Sequence, residues 1–206
     1  MKYLDSISEW TKNFTHPLSD VQKLYRKLLH ICLVIPRGRA YLTKLEAMLC
    51  TGSDGPFMSY SEPKGLQEDL QWWTSILQQP VITQSIPQPI SLHDARAFSD
   101  ASLGIGIAIV IGEHWRAWHL IPGWKTLNGN KDISWAKAIG FELLARALIN
   151  AVSKPTHFLI NGDNIGVIEG WWNGWNKNHE VNTVFKHIHM LLQDSGDRYS
   201  LHTTYV

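Results

Sequence analysis

In the first third of the chain, apolar residues recur every three or four positions. The segment PLSDVQKLYRKLLHICLVIP sets Val21, Leu24, Leu28, Ile31 and Val34 on one stripe, which predicts a helix that stops at Pro36. RGRAYLTKLEAMLCTG predicts a second, shorter helix ending near Gly52, and GLQEDLQWWTSILQQP a third with Leu66, Leu70, Trp73 and Leu77 in register. The stretch between these two, TGSDGPFMSYSEPKG, reads as a loop from its Gly, Pro and Ser content.

Beyond Gln78 the pattern breaks. Pro80, Pro87 and Pro89 rule out a helix and disfavour a central strand. Residues 1–80 are therefore expected to form a helical segment, 81–91 a linker and 92–206 a second domain. In that domain the period becomes alternating, with Ile105, Ile107, Ile109 and Ile111 at every second position. A strand ending near Asp100, a second over 104–111, a turn at Gly112-Glu113 and a third in HWRAWHLIP predict an antiparallel meander. SWAKAIGFELLARALINA predicts a helix, THFLINGD a strand, NIGVIEGWWNGW a short helix, NTVFKHIHMLLQDSG a longer helix and YSLHTTYV a last strand. Three strands, then helix, strand, helices and strand, describe an α/β fold with helices packed on a mixed sheet. There is no internal repeat.

Composition narrows the function classes without choosing one. In 206 residues, 19 Lys and Arg face 18 Asp and Glu, so nucleic-acid binding has to come from local patches. Cys32 and Cys50 lack CxxC spacing and no basic-then-apolar leader precedes them, which predicts a reduced intracellular protein, cytoplasmic or nuclear. No apolar run approaches the roughly 18 residues of a membrane span, so no membrane partner is expected.

Three carboxylates stand at distinctive places: Asp100 in the first strand, Glu142 in the first long helix, and Asp163 where the fourth strand meets a helix. Asp163-Asn164 also reads as a helix cap and Glu142 as a solvated helix residue. Asp100 is harder to dismiss, because Asp is depleted within apolar strands unless paired or metal-bound. Strand ends and helix starts in a mixed sheet converge, and clustered carboxylates call for a cation between them. Hard oxygen donors suit Mg²⁺ or Mn²⁺, and a pair of such ions roughly 3.5–4 Å apart supports phosphodiester cleavage. The three acids are thus expected to meet at one solvent-open spot on the sheet edge.

FSDASLGIGIAIVIG, GFELLARAL and FLINGDNIGVIEG resemble the first three motifs of the ribonuclease H domain of retroelement reverse transcriptases, especially gypsy-like and DIRS-like elements of fungi. HICLVIPRGRAYLTKLEAML resembles the helical segment after the polymerase palm in those polyproteins, and DLQWWTSIL the stretch leading to the nuclease. The resemblance spans nearly the whole chain. It implies a ribonuclease H-like mixed five-stranded sheet preceded by a small helical segment. It also implies metal-dependent cleavage of RNA in RNA–DNA hybrids, with Asp100, Glu142 and Asp163 as catalytic, metal-holding acids. The remainder of the polyprotein is the implied partner. The family's fourth acid follows the last strand, in a motif resembling N-P-A-D, and the sequence stops at Val206 before it. With an incomplete set of acids, weak Mg²⁺ or Mn²⁺ binding and slow or absent cleavage are expected.

Lys137 stands where fungal relatives often show W-A-E. With Ser134 as N-cap, position 137 is the third helical residue of a capping box, away from the metals, and Glu142 is kept as the acid. A decayed or domesticated remnant that binds nucleic acid or protein without cutting is the alternative, and an integrase-like nuclease a weaker third, since its acids run Asp-Asp-Glu. Arg26, Lys27, Arg37, Arg39 and Lys44 form a basic run suited to phosphates, or equally a solvated helix face. Asn164, Trp172, Lys177 and Asn178, around GWWNGWNKNHE, suit sugar and phosphate contact, although at least one of Trp171, Trp172 and Trp175 is expected inside. His187 and His189 lie two apart on a helix and cannot share an ion.

Overall fold

The computed structural model describes residues 2–51, 58–80, 82, 90–125 and 131–206. Most of the expected linker, 81 and 83–89, lies outside the described residues, as do 52–57 of the first loop. The chain separates into two compact units, Met1–Ile86 and Pro87–Val206.

The first unit contains α1 (Lys2–Trp10), β1 (Thr15–Pro17), α2 (Leu18–Ile31), a 3₁₀ turn (Pro36–Tyr41), α3 (Thr43–Thr51), β2 (Ser59–Ser61) and α4 (Leu66–Leu77). The stripe Val21, Leu24, Leu28 and Ile31 is buried as its period predicts. The helix ends at Ile31 rather than running to Pro36, and Val34 is exposed. Cys32 closes it by bonding back to Leu28 and Leu29, and Pro36 then starts the 3₁₀ turn that replaces the front of the expected second helix. Leu28, Leu45, Leu66, Leu70, Trp73 and Ile76 form the centre of this unit's own core.

Two elements here have no counterpart in the hydrophobic period: α1, and the antiparallel pair β1–β2, which joins Thr15 to Ser61 and Pro17 to Ser59. Glu62, just past β2, ties them in. One of its oxygens accepts the Trp10 indole N–H at 2.5 Å and lies 3.2 Å from His16 Nε2; the other accepts Gln67 Nε2 at 2.5 Å. Trp10 and His16 stack with ring centroids 3.5 Å apart.

The second unit is the mixed α/β sheet that the sequence predicts. Its strands are β3 (His93–Ser102), β4 (Gly106–Ile111), β5 (His114–His119), β6 (Thr156–Gly162) and β7 (Tyr199–Tyr205), in the order β5-β4-β3-β6-β7. β3, β4 and β5 pair antiparallel as a meander, whereas β6 is parallel to β3 and β7 parallel to β6. Parallel neighbours need crossovers. These are supplied by α5 (Ile133–Ala151), then by α6 (Ile165–Asn173) and α7 (His179–Asp194).

The core lies between the sheet, α5 and α7, with Phe141, Leu144, Phe158, Ile160, Phe185 and Ile188 at its centre. Gly140 lets α5 lie close on the meander: a Cβ there would sit 3.2 Å from Ile107 Cγ2 and 3.5 Å from the Ser99 side chain. Gly106 is required more strictly, with φ +148° and the Trp118 carbonyl oxygen 1.9 Å from where a Cβ would be. At the outer edge of the sheet, β5 exposes Trp115. No helix among the described residues is long and apolar enough to cross a membrane.

Candidate active site

Asp100 and Asp163 meet because of strand register. β3 and β6 are parallel neighbours with Phe98 opposite Asn161, and each Asp lies two residues further along the same direction. Asp163 is already past the end of β6. The next residue, Asn164, caps α6 by accepting the Val167 N–H at 2.9 Å. The cap expected of Asp163-Asn164 thus belongs to Asn164, and Asp163 is released to face the first strand.

The cation between the two carboxylates is a side chain. Lys137 Nζ lies 3.1 Å from Asp100 Oδ1 and 2.5 Å from Asp163 Oδ2. Its side chain is only 16% exposed, against 65% for Asp100 and 48% for Asp163. Burial alone pulls the Lys137 amine down, but hydrogen bonds to Asp163 and Asp100, with their charges, outweigh it and hold its pKa above the ordinary lysine value. At neutral pH the centre therefore holds an ammonium. A cleft beside it, about 20 Å³ and lined by Phe141, Asn161, Val167 and Thr203 among others, has room for a water-sized molecule.

Glu142 does not join them. Its Oε1 accepts Arg146 Nε at 3.0 Å and Nη2 at 2.7 Å, and its Oε2 lies 3.5 Å from His187 Nδ1 on α7. The side chain is 10% exposed and committed to the α5–α7 interface. Five residues of α-helix turn a side chain's direction by about 140°, so residues 137 and 142 cannot serve one spot. The helix-capping account of Lys137 fails with it: the N-cap is Asp132, whose carboxylate accepts the Trp135 N–H at 3.0 Å, not Ser134. With the cap at Asp132, position 137 lies beyond the reach of a capping box.

The donor set does not fit the divalent ion that the resemblance implies. Mg²⁺ and Mn²⁺ require several oxygen ligands, and here one ammonium takes the place between two carboxylates while the third acid is engaged elsewhere. Among the described residues, no group of three or more His, Cys, Asp or Glu side chains is arranged to hold a metal.

The other expected contact residues divide. Trp172 is 64% exposed, its indole N–H donated to Thr203 O at 3.2 Å, and Lys177 is exposed. Asn164 and Asn178 are occupied as helix caps; Asn178 accepts the Glu180 N–H at 2.9 Å. Trp171 is the inward member of its cluster, stacked on His189 and bonded to Leu201 O. In the first unit, Arg26, Lys27 and Arg39 are exposed and Arg37 half-buried. Lys44 is not available to phosphate: its largely buried ammonium is 3.7 Å from Asp69 Oδ2.

No family model and no curated protein matches this sequence. Among solved structures, a ribonuclease H1 from the halophilic archaeon Halobacterium salinarum NRC-1 is similar at 17% identity and a TM-score of 0.33, over 53% of this chain and 83% of that one. The likeness is too slight to carry an activity across.

Proposed function

We propose that residues 92–206 are a ribonuclease H-type domain of a retroelement reverse transcriptase that holds RNA–DNA hybrid or related nucleic acid without cutting it. Residues 1–80 are its reverse-transcriptase-derived helical segment. The parentage rests on the quoted motifs and on a mixed sheet in the order they imply. The loss of cleavage rests on one observation, the Lys137 ammonium bonded to both Asp100 and Asp163. An ammonium supplies charge balance, but it offers no coordination position from which a water could be activated. Of the alternatives the sequence leaves open, the geometry thus favours the non-catalytic remnant over the working nuclease.

The test is hybrid binding and hybrid cleavage in Mg²⁺ and in Mn²⁺, for the unaltered chain and for Lys137→Glu. The unaltered chain is expected to bind labelled hybrid and leave its RNA intact. Lys137→Glu replaces the ammonium with a third carboxylate and is expected to gain Mn²⁺ affinity by at least tenfold in calorimetry. Glu142→Gln should leave the metal response unchanged while destabilising the domain by about 1–3 kcal/mol, since Arg146 loses a charged acceptor. Metal-dependent RNA cleavage by the unaltered chain, abolished by Asp100→Asn, would overturn the proposal.

A further inference from the structure

Two histidines far apart in sequence meet on the sheet, away from the acids. β6 and β7 are parallel neighbours in which His157 stands opposite Ser200 and Leu159 opposite His202. Phe158 and Leu201 on the same strands belong to the core, so alternation turns His157, Ser200 and His202 to the other face, where all three are half-buried. His157 Nδ1 lies 2.6 Å from Ser200 Oγ, and His202 Nε2 lies 2.8 Å from the same atom. The two rings approach it at an angle, with centroids 6.2 Å apart and planes 74° from parallel. Trp172 flanks the pair, edge to face with His202 at 6.5 Å.

We propose that His157 and His202 form a two-imidazole site for a late first-row divalent ion, Zn²⁺ or Cu²⁺, with water in the remaining positions. The inference goes beyond the nucleic-acid reading and does not depend on it. Imidazole nitrogen is a donor that such ions favour, and a neutral ring carries its proton on either nitrogen, so both rings are able to aim a lone pair at the point that the Ser200 hydroxyl marks. Zn–N bonds are about 2.0–2.1 Å long. An ion seated where that hydroxyl lies would draw each ring inward by roughly 0.5–0.8 Å, a matter of small side-chain rotations, while Ser200 turns to another rotamer. The hydrogen-bonded ladder of β6 and β7 already holds the two backbones in place, so little freedom is lost on binding. Burial, and then the charge of His157, hold the His202 imidazole below the ordinary histidine value, which keeps it neutral and able to ligate at neutral pH. Two protein donors fall short of a closed structural centre, so the ion stays exchangeable.

The test titrates the full chain, without a histidine tag, with Zn²⁺ and with Cu²⁺ near neutral pH by calorimetry, and follows the Zn²⁺ titration through the imidazole nitrogen resonances. Among the 10 histidines, the Nδ1 signal of His157 and the Nε2 signal of His202 are expected to move first. The double variant His157→Gln with His202→Gln is expected to lose at least tenfold in affinity, and each single variant most of that loss. Ser200→Ala should bind as tightly as the unaltered chain or more tightly, because it removes the hydroxyl from the point and leaves both nitrogens. Zn²⁺ should also raise the thermal midpoint of the unaltered chain and of Ser200→Ala but not that of the double variant, with the folding of each checked by circular dichroism. Full affinity in the folded single or double histidine variants would overturn the proposal, as would signals that move at other histidines while these two stay still. A folded, unaltered chain that takes up neither ion would overturn it as well.

Discussion

Lys137 is a single side chain that balances two acids, and its titration can be followed. Its pKa is raised in the folded chain, so the stability it contributes is fully present below the ordinary lysine value of 10.5 and lost as pH climbs through the folded value. Lys137→Met is expected to cost on the order of 1 kcal/mol, a modest figure because both carboxylates are substantially solvated. The gap between the two proteins in urea unfolding should stay constant from pH 7 to pH 9 and narrow above about pH 10.5. A gap that widened with alkali would mean that the ammonium is not what the acids hold. Asp100 was legible as an acid in need of a partner because Asp is depleted within strands, and the partner is Lys137. Which partner was not legible: Glu142 and Lys137 lie on the same helix about 140° apart, and the face of α5 that packs on the sheet decides which of them reaches the strand ends.

Elements with a strong period were readable, and those without one were not. β4 alternates cleanly, and α2, α4, α5 and α7 carry long apolar stripes; each lies within a few residues of its expected place. The β1–β2 pair joins strands of three residues each, too short to establish alternation, and Glu62, directly after β2, ties it to His16 of β1 and to Trp10, contacts that no periodicity announces. Helix starts are similarly underdetermined, because Asp132 and Ser134 are both good cap residues two positions apart. The structure gives the role to Asp132, so Asp132→Ala is expected to cost about 1 kcal/mol in thermal or chemical unfolding and Ser134→Ala only a few tenths. An equal cost for both would return Ser134 to the cap.

At the scale of the molecule, each of the two compact units has its own buried cluster, and changes deep in one should register there first. Glu62→Ala removes the acceptor shared by Trp10, His16 and Gln67 and is expected to cost about 2–4 kcal/mol. Hydrogen exchange should accelerate at the amides of α1 and α4, while those of β6 keep their protection. Uniform acceleration across both clusters would show that the chain unfolds as one cooperative body.

The ammonium between Asp100 and Asp163 has a further meaning in the language of the gene. Lysine and glutamate codons differ only in their first base, so one transition separates the present site from one with a third carboxylate at position 137. The centre with an ammonium between two carboxylates and the centre with three carboxylates are neighbours under mutation. The packing of α5 and the strand register that set residue 137 beside Asp100 and Asp163 would serve either codon equally well.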